Sequence, residues 1–120
     1  MSDSCLVTIA MALYHPNLKW LQEELVSIEK QTFRQFQLYV WNDDPNDSYP
    51  YESFFERSLK HTPFKIFRGT NNLGSNKVFE KLTTLVHTPY IAYCDQDDVW
   101  LPDKLSVLVK LVTQKDAALA

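Results

Sequence analysis

Apolar strand-like runs alternate with segments of helical periodicity along the whole chain. Residues 5–13 are almost entirely apolar and end at a Tyr-His-Pro-Asn turn, which predicts a strand buried on both faces. A helical pattern follows behind Asn17, a residue type that suits an N-cap. Its apolar positions are Leu18, Leu21, Leu25 and Ile28, and the polar positions that we expect on its solvent face are Glu23, Glu24, Glu29 and Lys30.

The alternation continues to the end of the chain, without an internal repeat, a low-complexity tract or a linker. Further strands are predicted at residues 36–41, 64–68 and 90–94, and further helices within residues 50–61, at 78–86 and after Pro102. Strands that alternate with helices over short connections favour an α/β fold, with an open, mainly parallel sheet and helices on both faces. We therefore expect residues 1–120 to form a single domain.

Polar residues follow three of the four predicted strands. These strand ends are Tyr14-His15, Asp43-Asp44 and Asp95-Gln96-Asp97-Asp98. Ligands of open parallel sheets bind beyond the carboxyl ends of the strands. The topology therefore predicts that the three groups converge at one binding edge.

The acids after the fourth strand point to a metal site. Asp95, Asp97 and Asp98 repel one another, and Mg²⁺ or Mn²⁺ would relieve this repulsion while leaving positions open for phosphate oxygens. In an extended segment Asp95 and Asp97 point the same way, so one cation could contact both. The competing interpretation is a turn that merely caps the last helix. A calcium-binding EF-hand is excluded, because Trp100 and Ser106 occupy its glycine and glutamate positions.

The turn at Asp43-Asp44 is open to two interpretations of nearly equal weight. The sequence Asn-Asp-Asp-Pro-Asn-Asp is typical of a polar turn without a ligand. Alternatively, one of its carboxylates accepts the imide N–H of a uracil or thymine ring, and Tyr14 stacks on that base or packs in the core. His15 is expected to be a turn residue, and no Ser/His/Asp or Cys/His nucleophilic arrangement is visible.

Composition narrows the classes of partner. The chain has 120 residues, 45% of them hydrophobic, and a net charge of -3, as in an ordinary soluble domain. Its two glycines, Gly69 and Gly74, form neither a dinucleotide fingerprint nor a P-loop. The basic residues are dispersed, which argues against a nucleic-acid surface.

Cysteine content and hydropathy suggest a location. Cys5 and Cys94 lie in apolar runs and are expected to be free thiols in a reducing compartment, the cytoplasm. No stretch is long enough to cross a bilayer, and the first residues lack the cationic region of a signal peptide. Peripheral attachment at the inner face of the cell membrane stays open.

Five segments resemble, in the same order, the N-terminal half of family 2 glycosyltransferases of the GT-A type. They are residues 11–16, 27–33, 40–44, 71–74 and, the most specific, residues 94–105 with the sequence CDQDDVWLPDKL. The resemblance covers about residues 5–112 and is nearest to the rhamnosyltransferase-like branch used in polysaccharide assembly. It implies a Rossmann-like nucleotide-binding half with a DxD motif at Asp95-Gln96-Asp97.

The resemblance also implies roles for single residues. Ala12 and Tyr14 match the strand-end motif that contacts the nucleotide base, with Tyr14 in the stacking position. Asp44 matches the carboxylate that reads a uracil-type ring, with Asp43 beside it. Asp95 matches the acid that faces the ribose or the metal, and Asp97 matches the metal ligand that bridges the diphosphate. His15 stands where the family commonly has Asn.

These observations together predict a Mn²⁺- or Mg²⁺-dependent, inverting glycosyltransferase segment. Its donor would be a UDP-sugar or dTDP-sugar, and its acceptor a saccharide or polysaccharide. The resemblance implies that the general base lies beyond Ala120, so we expect a truncated fragment that binds donor, lacks the base and can self-associate through an exposed edge. The alternative is a noncatalytic α/β binding or signalling domain whose acids bind a metal.

Overall fold

A computed structural model describes residues 5–95 and 98–119 of the chain, with side chains described as far as residue 114. The elements are β1 (Val7–Leu13), α1 (Leu18–Glu29), β2 (Phe36–Asn42), α2 (Tyr51–Ser58), β3 (Phe64–Arg68), α3 (Ser75–Leu85), β4 (Tyr90–Asp95) and α4 (Lys104–Leu119). The four strands form one sheet in the order β3-β2-β1-β4, and every neighbouring pair is parallel. The predicted α/β fold is confirmed.

The central strand β1 is buried on both faces, as its unbroken apolar run predicts. Its alternate residues Val7, Ile9, Met11 and Leu13 pack in the larger core, together with residues from α1, α2 and the start of α4. Ala10 faces the opposite way and packs in a smaller core against Val78 and Leu82 of α3. Helices therefore cover both faces of the sheet.

The first helix begins where the sequence predicts. Asn17 has an extended backbone, and its Oδ1 accepts the backbone N–H of Trp20 at 3.1 Å. The predicted position of Glu24 on the solvent face is wrong, because its side chain is fully buried on the inner face of α1. Glu23 and Lys30 are exposed, as expected.

The other end of the chain is more exposed than the first helix. In α4, Leu105 packs in the core and the half-buried Val109 packs against it, while several other apolar side chains of the helix are exposed. The exposed set is Val107, Leu108, Leu111 and Val112.

Both Cys5 and Cys94 are free thiols, and Cys94 is buried. Within residues 5–95 and 98–119, no helix is long and apolar enough to cross a bilayer.

Candidate functional site

The register of the sheet brings three strand ends to one edge. Ala12 of β1 is the register partner of Asp95 of β4, and Leu13 is the partner of Asn42 of β2. The backbone N–H of Asp43 then donates to the carbonyl of Leu13 at 2.8 Å, which extends the pairing beyond β2. Parallel strands that end at the same level place the residues that follow them side by side.

A cleft of about 310 Å³ lies at this edge. Four of the residues singled out in the sequence line it: Ala12, Tyr14, Asp43 and Asp95. Leu13, Ser75 and Val78 complete the lining. The cleft thus combines an aromatic ring, two carboxylates and the first turn of α3 in a space that suits part of a small polar ligand.

Asp43 is held by the protein on both of its carboxylate oxygens. The side chain is only 4% exposed, and it accepts the backbone N–H groups of Leu73 and Gly74, each at 2.8 Å. Gly74 caps α3 with a φ of 84°, a backbone conformation that glycine adopts without a steric penalty. Asp43 therefore fixes the loop that leads into α3 as well as lining the cleft.

Asp44 lies next to the cleft and is not among the residues that line it. Its Oδ2 lies 2.5 Å from Nε2 of His15, and its Oδ1 accepts the backbone N–H of Asn46 at 2.9 Å. The hydrogen bond with His15, followed by that of Asn46, holds the pKa of Asp44 below its ordinary value of 3.8. Asp44 is thus an ionised acceptor at the end of β2.

His15 links the first two strand ends. Its φ of 45° is in the left-handed region, where His and Asn are enriched among residues other than glycine. Its ring stacks on that of Tyr14 at a centroid distance of 4.1 Å and an angle of 17°. The imidazole therefore lies between a half-exposed aromatic ring and the Asp44 carboxylate. The sequence pattern assigned His15 only a turn, although its residue type is one that tolerates this conformation.

The end of β4 differs from that of β2. Asp95 is exposed, and its carboxylate makes no hydrogen bond to any residue that the structure describes. Its backbone N–H donates to Oδ2 of Asp98 at 3.3 Å, at the limit of a hydrogen bond. The predicted metal ligand Asp97, with its neighbour Gln96, lies outside the described residues.

The described residues can be compared with the needs of a divalent cation. Asp95 offers hard carboxylate oxygens of the kind that Mg²⁺ and Mn²⁺ prefer, and it lines the cleft. Among residues 5–95 and 98–119, no group of three His, Cys, Asp or Glu side chains could hold a metal. Asp95 therefore fits as one ligand of a divalent cation, and the described residues alone would not complete its coordination.

Ser75 is a cleft residue that the sequence pattern did not single out. It opens α3 directly after Gly74, and it is exposed. Its signal was the Leu-Gly-Ser order before a helical pattern, which marks a helix start without indicating a ligand.

Comparison with known proteins places the chain among glycosyltransferases. The family model described as "Glycosyl transferase family 2" matches residues 8–120. A curated relative, an uncharacterised glycosyltransferase of Methanocaldococcus jannaschii, is 32% identical over 103 residues. The match covers 86% of this chain and 36% of the relative, so the chain spans little more than a third of that relative's length.

Two solved structures share the fold. Staphylococcus aureus TarS 1–349 in complex with UDP-GlcNAc superimposes with a TM-score of 0.77 at 19% identity, over 90% of this chain and 31% of that one. Mannosyltransferase PcManGT from Pyrobaculum calidifontis, in complex with GDP-Man and Mn²⁺, gives a TM-score of 0.76 at 18% identity, over 88% and 31%. At these identities the structures establish the common architecture, which is that of GT-A glycosyltransferases.

Proposed function

Because the chain belongs to glycosyl transferase family 2, we propose that it binds a nucleoside-diphosphate sugar for transfer of the sugar to a saccharide acceptor. The observation that carries the proposal is the convergence of Ala12, Tyr14, Asp43 and Asp95 on one cleft at the carboxyl edge of the sheet. The two structural neighbours are in complex with UDP-GlcNAc and GDP-Man, which supports a donor of this class.

The two sides of the cleft suit different parts of such a donor. On the β2 side, the Tyr14 ring offers a stacking surface, and the ionised Asp44 offers an acceptor for a base N–H. On the β4 side, Asp95 offers an open carboxylate next to the cleft. The base would therefore lie toward Tyr14 and the diphosphate toward Asp95.

The cofactor that we propose is Mn²⁺ or Mg²⁺. Asp95 would hold it, together with Asp97, which lies outside the described residues. When bound, the cation would supply charge stabilisation to the departing diphosphate. The mannosyltransferase neighbour is in complex with Mn²⁺, which supports this assignment.

Several finer features remain predictions. These are the UDP or dTDP form of the donor, the saccharide nature of the acceptor, the inverting stereochemistry, the rhamnosyltransferase-like branch and the cytoplasmic location. Inversion requires a base that deprotonates the acceptor hydroxyl. The residue for this role is expected beyond Ala120.

Isothermal titration calorimetry tests the proposal. UDP, dTDP and GDP are titrated separately into the chain, each with and without Mn²⁺. We expect one nucleotide to bind, with an affinity that Mn²⁺ increases, and we expect Asp97→Ala to remove that increase. Asp103→Ala, at an exposed acid before α4, is the matched control and should bind as the wild type does.

Two results would overturn the proposal: no binding of any of the three nucleotides by this chain or by a longer protein that contains it, or unchanged Mn²⁺ dependence in Asp97→Ala. The noncatalytic alternative predicts that the acids bind a metal and that the protein catalyses no sugar transfer. Release of UDP from a UDP-sugar by the longer protein, dependent on a saccharide acceptor, separates the two.

We also propose self-association of the chain. The outer edge of β4 pairs with no described strand, and a second cleft of about 350 Å³ lies between β4 and α4. Exposed side chains of α4, among them Leu108 and Val112, line this cleft. An unpaired strand next to exposed apolar side chains favours association. Sedimentation at several concentrations should show dimers, and a monomer throughout would contradict this.

A further inference from the structure

Three buried polar side chains lie on α1 and just beyond its C-terminal end. Glu24 is fully buried, Gln31 is 2% exposed and Ser27 is 9% exposed. Glu24 and Ser27 are three residues apart on one face of the helix. Gln31 continues this row two residues beyond the end of α1, where its Nε2 donates to the carbonyl of Ser27 at 3.2 Å. We call the three residues the α1 polar stripe (Glu24, Ser27 and Gln31). Buried apolar side chains often stabilise a fold at least as well as buried polar ones do. A row of buried polar side chains therefore indicates a role beyond stability.

The N-terminal part of the stripe binds the segment that follows β4. Oε2 of Glu24 accepts the backbone N–H of Asp98 at 3.1 Å and the thiol of Cys94 at 2.8 Å. Burial and the Glu24 carboxylate raise the pKa of Cys94, which keeps the thiol protonated as a donor. Oγ of Ser27 accepts the backbone N–H of Trp100 at 3.0 Å.

The C-terminal part of the stripe binds the same segment farther along. Nε2 of Gln31 donates to the carbonyl of Leu101 at 2.7 Å, and its Oε1 accepts the backbone N–H of Leu105 at 3.0 Å. Thr32, the next residue, donates its backbone N–H to the carbonyl of Pro102 at 2.9 Å. The stripe and its neighbour thus bind five backbone groups between residues 98 and 105.

These contacts replace secondary structure where the chain has none. Residues 98–103 belong to neither a strand nor a helix, so their buried backbone groups need side-chain partners. The first of the bound groups, the N–H of Asp98, is only three residues beyond Asp95. The anchored segment therefore begins immediately after the acidic pair Asp95 and Asp97.

We propose that the α1 polar stripe positions the carboxylate of Asp95 for the cation and the diphosphate of the donor. This inference rests on the proposed function, and it makes Glu24, Ser27 and Gln31 positioning residues that act through the backbone of residues 98–105. Sheet pairing fixes the chain as far as Asp95, and the stripe fixes it again from Asp98. Asp95 is thus held from both sides, and its carboxylate makes no hydrogen bond to a described residue.

Loss of a stripe contact should weaken cation-dependent binding as well as lower the free energy of unfolding. Charged and coordinating groups must be placed to within about 0.5 Å to function, and a displacement of about 1 Å can weaken a site by about 100-fold. Loss of one anchoring hydrogen bond would loosen the segment without removing any ligand atom. Cation-dependent binding should therefore weaken while binding of the nucleotide alone stays the same.

The test uses Ser27→Ala and Gln31→Met as two separate variants. Ser27→Ala removes the acceptor for Trp100. Gln31→Met removes, with little change in volume, the bonds of Gln31 to Leu101 and Leu105 and its bond to the carbonyl of Ser27. Thr8→Val is the matched control, because Thr8 is also fully buried and bonded, to Thr88 at 2.8 Å and to Gln37 at 3.0 Å. Thr8 lies near the opposite end of β1, paired with Ile91 and not with the acidic segment.

Two readouts separate positioning from simple stability. The affinity for whichever of UDP, dTDP and GDP binds to the wild type is measured with and without Mn²⁺, at a temperature where circular dichroism shows every variant folded. We expect Ser27→Ala and Gln31→Met to lower the Mn²⁺-dependent gain in affinity by about tenfold, and Thr8→Val to leave it unchanged. Amide hydrogen exchange at Trp100 should accelerate in Ser27→Ala and not in Thr8→Val.

The outcomes distinguish this inference from the proposed function. If the wild type shows no Mn²⁺-dependent nucleotide binding, the proposed function fails and this inference fails with it. If the wild type binds and both stripe variants keep its Mn²⁺ dependence, only this inference is overturned. An equal loss in Thr8→Val would also overturn it, because general destabilisation would then explain the effect.

Discussion

The ends of β2 and β4 both carry acids, and the protein treats them in opposite ways. At the end of β2, Asp43 accepts two backbone N–H groups, and Asp44 bonds with His15 and Asn46. At the end of β4, the carboxylate of Asp95 has no hydrogen-bond partner among the described residues. The β2 end has bonded side chains, whereas the β4 end has an anchored backbone and an open side chain.

The difference shows how to distinguish acids that build a site from acids that bind its ligand. A buried carboxylate whose oxygens already accept protein N–H groups contributes mainly to architecture, because a ligand would have to share or displace those bonds. The partly exposed Asp44 keeps lone pairs that a ligand can still reach. A carboxylate left open at a cleft on a fixed backbone is prepared for a cation or a donor group. Asp43 belongs to the first kind, and we propose that Asp95 belongs to the second.

Asp43→Ala should give the largest effect on folding. It would leave two partly buried N–H groups, those of Leu73 and Gly74, without their charged acceptor. Bonds to charged groups and unsatisfied buried donors each contribute a few kcal/mol, so we expect the free energy of unfolding to fall by about 3 kcal/mol. Urea denaturation measures this loss. Asp44→Ala is the neighbouring control and should cost clearly less; equal losses would contradict the architectural role of Asp43.

Asp95→Asn should show the opposite pattern. We expect Mn²⁺-dependent nucleotide affinity to fall at least about tenfold, equivalent to about 1.4 kcal/mol of binding free energy. The free energy of unfolding should stay near that of the wild type, because no described group loses a side-chain partner. Calorimetry and urea denaturation together measure the two quantities.

Asp103→Asn serves as the control for Asp95→Asn, since it removes the same charge at an exposed position outside the cleft. It should change neither quantity. If Asp95→Asn lost stability without losing nucleotide affinity, Asp95 would have a structural role, as Asp43 does, and the proposed difference between the two strand ends would be wrong.

Much of this arrangement follows from sequence patterns. The strand alternation, the Asn17 cap and the convergence of strand ends depend on local periodicity and on the geometry of parallel sheets, and the structure confirms each of them. The partners of the polar side chains do not follow in this way. Glu24 looks like a surface residue in the sequence, and only the packing of α1 against residues 98–105 explains why it is buried.

The side-chain partners at the turn after β2 could not be predicted from the sequence either. The sequence leaves the acids there open to a turn or a ligand, and tertiary contacts give them different partners. Asp43 meets N–H groups thirty residues later in the chain, and Asp44 meets His15 of the preceding strand end. Contacts between residues so far apart in the chain produce no periodic pattern in a single sequence, so they could not be predicted from it.

Replacing His15 by Asn or by Ala tests how much the left-handed backbone conformation at this position, between Tyr14 and Asp44, contributes to stability. Both substitutions remove the imidazole, and they differ in how well the new residue tolerates a φ of 45°. Asn visits the left-handed region readily, whereas Ala is penalised there, so His15→Ala should be less stable than His15→Asn by about 1 kcal/mol. Urea denaturation of the two variants measures the difference, and equal stability would show that the backbone relaxes when the ring is lost.

The smallest expected effect is the pH dependence of the pair formed by Asp44 and His15. The folded pKa of Asp44 is lowered by the hydrogen bond with His15, so the unfolded chain takes up a proton at this carboxyl before the folded chain does. Its contribution to stability is therefore complete above the ordinary value of 3.8 and is lost as the pH falls through the lowered folded value. Asp44→Asn lacks this titration, so the stability difference between wild type and variant should shrink between about pH 5 and pH 2. Because the pair is exposed, the change should be small and should weaken further in high salt.

The urea midpoints of the wild type and of Asp44→Asn, measured across this pH range, give the change in their stability difference. A difference that stays constant with pH would show that the pair does not hold Asp44 in its ionised form.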